Sequence, residues 1–136
     1  MEINKRLLDD LSLQAKKTSR LRMNFDLRDS QDEETQRMLN ALQPGTILPI
    51  HRHTDTSETV FVIRGKVKWI MYDDDGKVID KIIVSPLNET YGLSIPPGRW
   101  HSLECLECDS VILSIKNGIW HPLTNMDILM NNNQKI

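Results

Sequence analysis

Beyond Ser57 the chain alternates apolar and polar residues in short runs, over 58–63, 66–72, 77–84, 91–95, 100–105 and 110–115. A period of two puts every second side chain on one face of a sheet, so each run predicts a half-buried β-strand. Gly65, Asp75-Gly76, Ser85-Pro86 and Pro96-Pro97-Gly98 separate the runs, and these residue types supply the fixed or positive φ that tight turns require. Upstream, 21–27, 36–42 and 46–53 also read as strands, although 36–42 could also pass for a helix. Ile3, Leu7, Leu8, Leu11 and Ala15 recur at helical spacing behind a candidate Asn4 cap, which predicts an amphipathic helix over 4–17 packed on the outside of a sheet. Many short strands with Gly/Pro turns describe an all-β sandwich or barrel, and a Greek-key jelly roll is the natural arrangement.

The division expected is an N-terminal helix over 1–20, a barrel over 21–125 and a C-terminal tail over 126–136, all within one domain. A chain of 136 residues with 39% apolar types can bury a core of that size. The run Asn131-Asn132-Asn133-Gln134-Lys135 has nothing to bury and is expected to fray. A net charge of -2, with 17 basic and 19 acidic residues and no Lys/Arg block longer than two, speaks against a nucleic-acid or membrane partner and for a small molecule. The N-terminus leads into an amphipathic pattern instead of an apolar leader, so a cytoplasmic location is expected, and the Asn88-Glu89-Thr90 sequon carries no meaning there. Asp73-Asp74-Asp75-Gly76 reads as a hairpin turn, because a calcium loop with Gly76 at its sixth position would begin on Met71 and end on Ile82. Cys105 and Cys108 are a lone C-x-x-C without helix periodicity or a second pair, and are read as two ordinary thiols.

The chemistry concentrates in His51-Arg52-His53, in Glu58 and, far downstream, in His101. Three imidazoles and a carboxylate are a ligand set for a borderline divalent transition metal. On a strand, His51 and His53 point to one side while Arg52 faces away. The polar Thr54-Asp55-Thr56-Ser57 then turns the chain so that Glu58 returns from the neighbouring strand. The remaining histidine, His121, sits before Pro122 and is read as a surface residue.

Written out, Gly45-x5-His51-x-His53-x4-Glu58-x6-Gly65 and Pro96-x-Gly98-x2-His101 resemble the two signature motifs of the cupin superfamily, small β-barrels whose ligands converge inside the barrel mouth. The resemblance carries over His51, His53, Glu58 and His101 as four metal ligands and implies an all-β cupin jelly-roll barrel with an N-terminal helix. The second motif departs at two places that are not ligands: Thr90 stands where a glycine is expected, with Gly92 nearby, and Cys105 where an asparagine is expected. The stretches Leu7-Leu8-Asp9-Asp10-Leu11-Ser12, Ser19-Arg20-Leu21-Arg22 with Asn24, and Gln36 through Leu42 extend the similarity to the WbuC-type cupin-fold metalloproteins. That family is named from genes of bacterial O-antigen clusters, which implies a role near surface-polysaccharide or sugar metabolism and no settled reaction.

Iron, manganese, zinc, nickel and cobalt all accept such ligands, and sequence does not choose among them. Four protein ligands around an octahedral ion leave two positions for water or a chelating substrate. Three functions fit: a sugar isomerase or epimerase, an iron-dependent dioxygenase, and a non-enzymatic metal-dependent binding module. Arg22, Arg37 and Arg99 are candidates to grip an anionic substrate group, read against the ordinary alternative of solvated arginines. Arg37 and Asn40 lie on opposite strand faces, so at most one enters the lumen. Trp69, Trp100 and Trp120 are read as packing residues, and a homodimer is expected through the edge strand at 21–27.

Overall fold

The computed structural model describes residues 1–129; the fraying expected of 131–135 lies outside the described residues. Asn4 caps α1 (Lys5–Lys16), its side-chain oxygen accepting a hydrogen bond from the Leu7 amide at 3.0 Å, the partner that the first turn of a helix otherwise lacks. The buried face of α1 is Leu8, Leu11, Ser12 and Ala15, while Ile3 stays half-exposed ahead of the helix.

The strands are β1 (Arg22–Asp26), β2 (Thr35–Leu42), β3 (Glu58–Arg64), β4 (Val67–Tyr72), β5 (Val78–Val84), β6 (Gly92–Ile95), β7 (Trp100–Cys105) and β8 (Ser110–Asn117). They build two antiparallel sheets, one ordered β1-β2-β8-β3-β6 and the other β5-β4-β7. The crossovers that set β8 between β2 and β3, and β7 beside β4, are those of a jelly roll, as the turn spacing predicted. The ambiguous segment 36–42 is a strand because it pairs on both edges, with β1 and with β8.

Alternation decides which layer each side chain joins. Val60 and Val62 of β3 point inward against Val67, Trp69 and Met71 of β4, with Leu42, Ile95 and Ile112 completing the core between the sheets. Phe61 and Ile63, one step out of phase, are each 40% exposed. On the opposite face, Leu39 and Ala41 of β2 and Val111 of β8 receive Leu8, Leu11 and Ala15, so α1 covers the outside of the five-stranded sheet. Cys105 belongs to the inter-sheet core and donates its thiol to the Glu107 carbonyl, while Cys108 is exposed; both are free. No helix among the described residues is long and apolar enough to cross a membrane.

One expected strand is absent. Segment 46–53 forms no ladder and joins a sheet only through His51, which forms single antiparallel bridges with His101 and with Ile128. Pro49 has no amide hydrogen to donate, which limits how far a ladder can propagate there.

Candidate metal centre

The antiparallel pair His51–His101 is closed by both of its backbone hydrogen bonds, 3.0 Å and 2.8 Å long. It sets the two imidazoles side by side with ring centroids 4.3 Å apart. His53, two residues on, is held where its carbonyl accepts the Gly98 amide at 2.7 Å. Gly98 occupies φ +78°, a region that favours glycine, and thereby lets Pro96-Pro97-Gly98 turn directly into β7 and His101. One ring nitrogen from each of His51, His53 and His101 lies within 4.8 Å of the others.

Glu58 does not come from a strand beside the histidine segment, as the sequence led us to expect. It heads β3, whose partners are β6 and β8, while His51 bridges to β7 of the other sheet. The cluster therefore bridges the two layers. Glu58 Oε1 stands 3.3 Å from His101 Nε2 and 3.9 Å from His53 Nε2.

The imidazoles are prepared as acceptors. His51 Nδ1 donates to the Pro49 carbonyl at 3.0 Å and His101 Nδ1 to the Arg99 carbonyl at 2.9 Å, each reaching back two residues. A neutral ring that donates from Nδ1 leaves the Nε2 lone pair free, the tautomer that metal-bound histidines use. Nε2 of His53 and of His101 are buried without a hydrogen-bond partner, an arrangement that costs free energy unless something fills the space between them. Burial first, then the charge on His101 if protonated, pulls His51 down to about 3. Burial followed by the Lys116 ammonium brings His53 to about 4. Burial alone would raise the Glu58 carboxyl; His101 where its Nε2 carries a proton, the Lys116 ammonium and the Ser114 hydroxyl outweigh it and hold the group below the usual carboxylate range. At neutral pH His51 and His53 are thus unprotonated imidazoles and Glu58 a carboxylate, donors that fit a divalent cation.

The cluster opens into a cavity of about 550 Å³ walled by the inner faces of both sheets and by residues 119–123. Of the three arginines singled out in the sequence, only Arg22 lines it; Arg37 lies outside, paired with Glu33, and Arg99 contributes its backbone carbonyl to His101. Asn40, not Arg37, enters the lumen. Trp69 and Trp100 are packed as expected, but Trp120 is 53% exposed and borders the cavity. His121 is exposed, on the same wall. Arg52 faces away from the histidines, its guanidinium 4.4 Å over the Trp100 ring and bonded to the Met126 carbonyl. Sequence reading missed Ser114 and Lys116, which reach Glu58 from β8. Their period-two spacing placed them on one face, but only the β3–β8 pairing brings that face to Glu58.

Residues 3–84 match the model of a family described as "Domain of unknown function (DUF6016)". The chain belongs to this family. The matched span includes His51, His53 and Glu58, whereas His101 lies beyond it. No curated protein matches the chain. Among solved structures, the capsular polysaccharide assembling protein CapF from Staphylococcus aureus is similar with a TM-score of 0.61 and 24% identity over 73% of this chain and 29% of that one. KdgF from Halomonas sp. gives 0.58 and 14% over 71% of this chain and 80% of that one. Bacillus subtilis oxalate decarboxylase, a protein with Mn(II) centres, gives 0.56 and 22% over 74% and 26%. These neighbours are cupin-fold proteins, so this DUF6016 member has the cupin jelly roll. It spans most of KdgF but under a third of the other two.

Proposed function

We propose that this protein is a metal-dependent cupin of the WbuC type. In this reading His51, His53, Glu58 and His101 hold one divalent ion, iron, manganese, zinc, nickel or cobalt, and the cavity receives a small oxygen-rich substrate, a sugar derivative of surface-polysaccharide metabolism. The observation that carries it is the pair of buried, unpartnered Nε2 atoms on His53 and His101, converging with His51 beside an ionised Glu58. A bound ion would supply Lewis-acid polarisation of vicinal substrate oxygens, the chemistry of an isomerase or epimerase. The chain's own residues fix the imidazoles through the Pro49 and Arg99 carbonyls, keep Glu58 ionised through Ser114 and Lys116, and enclose the substrate on three sides. A volume of about 550 Å³ falls in the range of small-molecule sites. The likeness to a capsular polysaccharide assembling protein and to a Mn(II) protein supports both halves of the reading, as fold-level analogy. β1 is an edge strand of the five-stranded sheet, in keeping with a cytoplasmic homodimer formed through it.

The test is elemental analysis of untagged protein purified without chelator, beside His51→Ala/His53→Ala, followed by a screen of sugars and nucleotide sugars. Metal bound by the wild type and lost in the variant, with a sugar converted, is the expected result. No metal after reconstitution would overturn the proposal. Iron with substrate-dependent oxygen uptake would replace the isomerase chemistry with a dioxygenase.

A further inference from the structure

The charges lining the cavity are not evenly compensated. Lys116 stands 3.9 Å from Glu58, and Arg52 stands 3.9 Å from Asp127. Arg20 and Arg22 line the same cavity, and no carboxylate of the described residues lies within ion-pair distance of either. Met23 and Phe25 of β1 pack towards α1, so alternation turns Arg22 to the opposite, inner face. Burial, followed by repulsion from Arg20, lowers the Arg22 guanidinium from its ordinary value.

The backbone between them is held in an uncommon state. Leu21 has φ +57°, a left-handed conformation that costs a leucine free energy and persists only where the surroundings over-determine it. Its carbonyl accepts both the Gln43 amide and the Thr46 hydroxyl, and its amide donates to the Thr18 carbonyl. Arg20 and Arg22, on either side of it, both line the cavity. The Arg20 carbonyl in turn accepts the Ile47 amide, and strand register sets Arg22 beside Leu42 but Glu58, next to the histidines, at the level of Gln36, six residues away along β2 or about 20 Å between backbones at the usual rise of a strand.

We propose that Arg20 and Arg22 form an anion subsite at the end of the cavity away from the histidines, and that the substrate is an oxygen-rich molecule carrying a phosphate or carboxylate there. Guanidinium forks bind either group through paired hydrogen bonds, and the separation from the histidines demands a ligand longer than a two-oxygen chelator. This rests on the reading of the cavity as the substrate site.

The test titrates metal-loaded protein calorimetrically with glucose, glucuronate and glucose 6-phosphate, and repeats the series after chelation with metal content measured on the same samples. At least one anionic sugar is expected to bind about tenfold or more tightly than glucose, the gain of a charge-assisted hydrogen-bonded pair. The tighter of the two identifies carboxylate or phosphate as the group recognised. Arg20→Gln/Arg22→Gln should abolish the preference at unchanged metal content and melting temperature, and Arg6→Gln/Lys81→Gln, an equal charge change at exposed positions of α1 and β5 outside the cavity, should keep it. Equal binding of neutral and anionic sugars, no binding of either anion, or a preference that survives the double substitution would overturn the subsite. A preference seen in protein that takes up no metal would support the subsite while sinking the metal reading, so the two fail separately.

Discussion

His51 and His101, fifty positions apart in the chain, face each other as an antiparallel pair joined by both backbone hydrogen bonds. The pairing that closes the fold at this point is the same pairing that brings two imidazoles to a common centre. Backbone and side chain can therefore be separated by substitution.

His51→Ala should keep its main-chain bonds to His101 and leave the circular dichroism of the metal-free protein unchanged. It should lose bound metal and, with it, the rise in melting temperature that metal addition gives the wild type, because an ion that binds only the folded state stabilises it by mass action. An unchanged metal content in this variant would remove His51 from the centre.

The metal-free protein should weaken as pH falls from 7 to 5. His51 and His53 titrate near 3 and 4 in the folded chain against an ordinary 6.5, so below 6.5 the unfolded chain binds protons that the folded chain refuses. Stability is full above 6.5 and is lost down to those folded values, at up to about 1.4 kcal/mol per pH unit for each histidine. Glu58, also depressed, adds loss of the same sign below its ordinary 4.5. Urea midpoints of chelated protein measure this, and His51→Gln/His53→Gln should flatten the slope. Equal wild-type midpoints at the two pH values would contradict buried neutral imidazoles.

Two glycines should respond differently to alanine. At Gly98 an added Cβ meets open space, so Gly98→Ala pays only for its φ of +78°, about 1–2 kcal/mol. At Gly92 a Cβ would sit 2.2 Å from the Val60 carbonyl oxygen, a backbone atom of a paired strand that cannot swing aside. Gly92→Ala should be the more destabilising in chemical denaturation, and the reverse order would argue against the close β3–β6 approach.

Arg52→Ala should loosen the segment 125–129 without touching the core. The Arg52 side chain bonds the Met126 carbonyl and lies over Trp100, and its amide donates to the Asp127 carbonyl, while the Leu129 amide donates to Ile50. Amide exchange at Arg52 and Leu129 should accelerate, with the exchange of Val60 and Trp69 unaffected. Unaltered exchange at both would mean that the side chain does not anchor this segment.

Local pattern carried much of this protein. Period two in β3 through β8, the Asn4 cap with helical spacing in α1, and the Gly/Pro turns are each legible within a dozen residues, because side-chain direction and turn φ are local properties. The spacing of His51, His53 and Glu58 likewise reads directly from the chain, and so does the alternation that sets Asn40 and Arg37 on opposite faces, though not that Asn40 is the one in the lumen. What tertiary structure alone decided is who meets whom across the layers. Glu58 and His101 approach from different sheets, Ser114 and Lys116 reach Glu58 only through the β3–β8 pairing, and Arg20 and Arg22 line one cavity with His51 only in the folded chain. Strand order and register depend on burial summed over the whole molecule, a quantity that no short window of sequence contains.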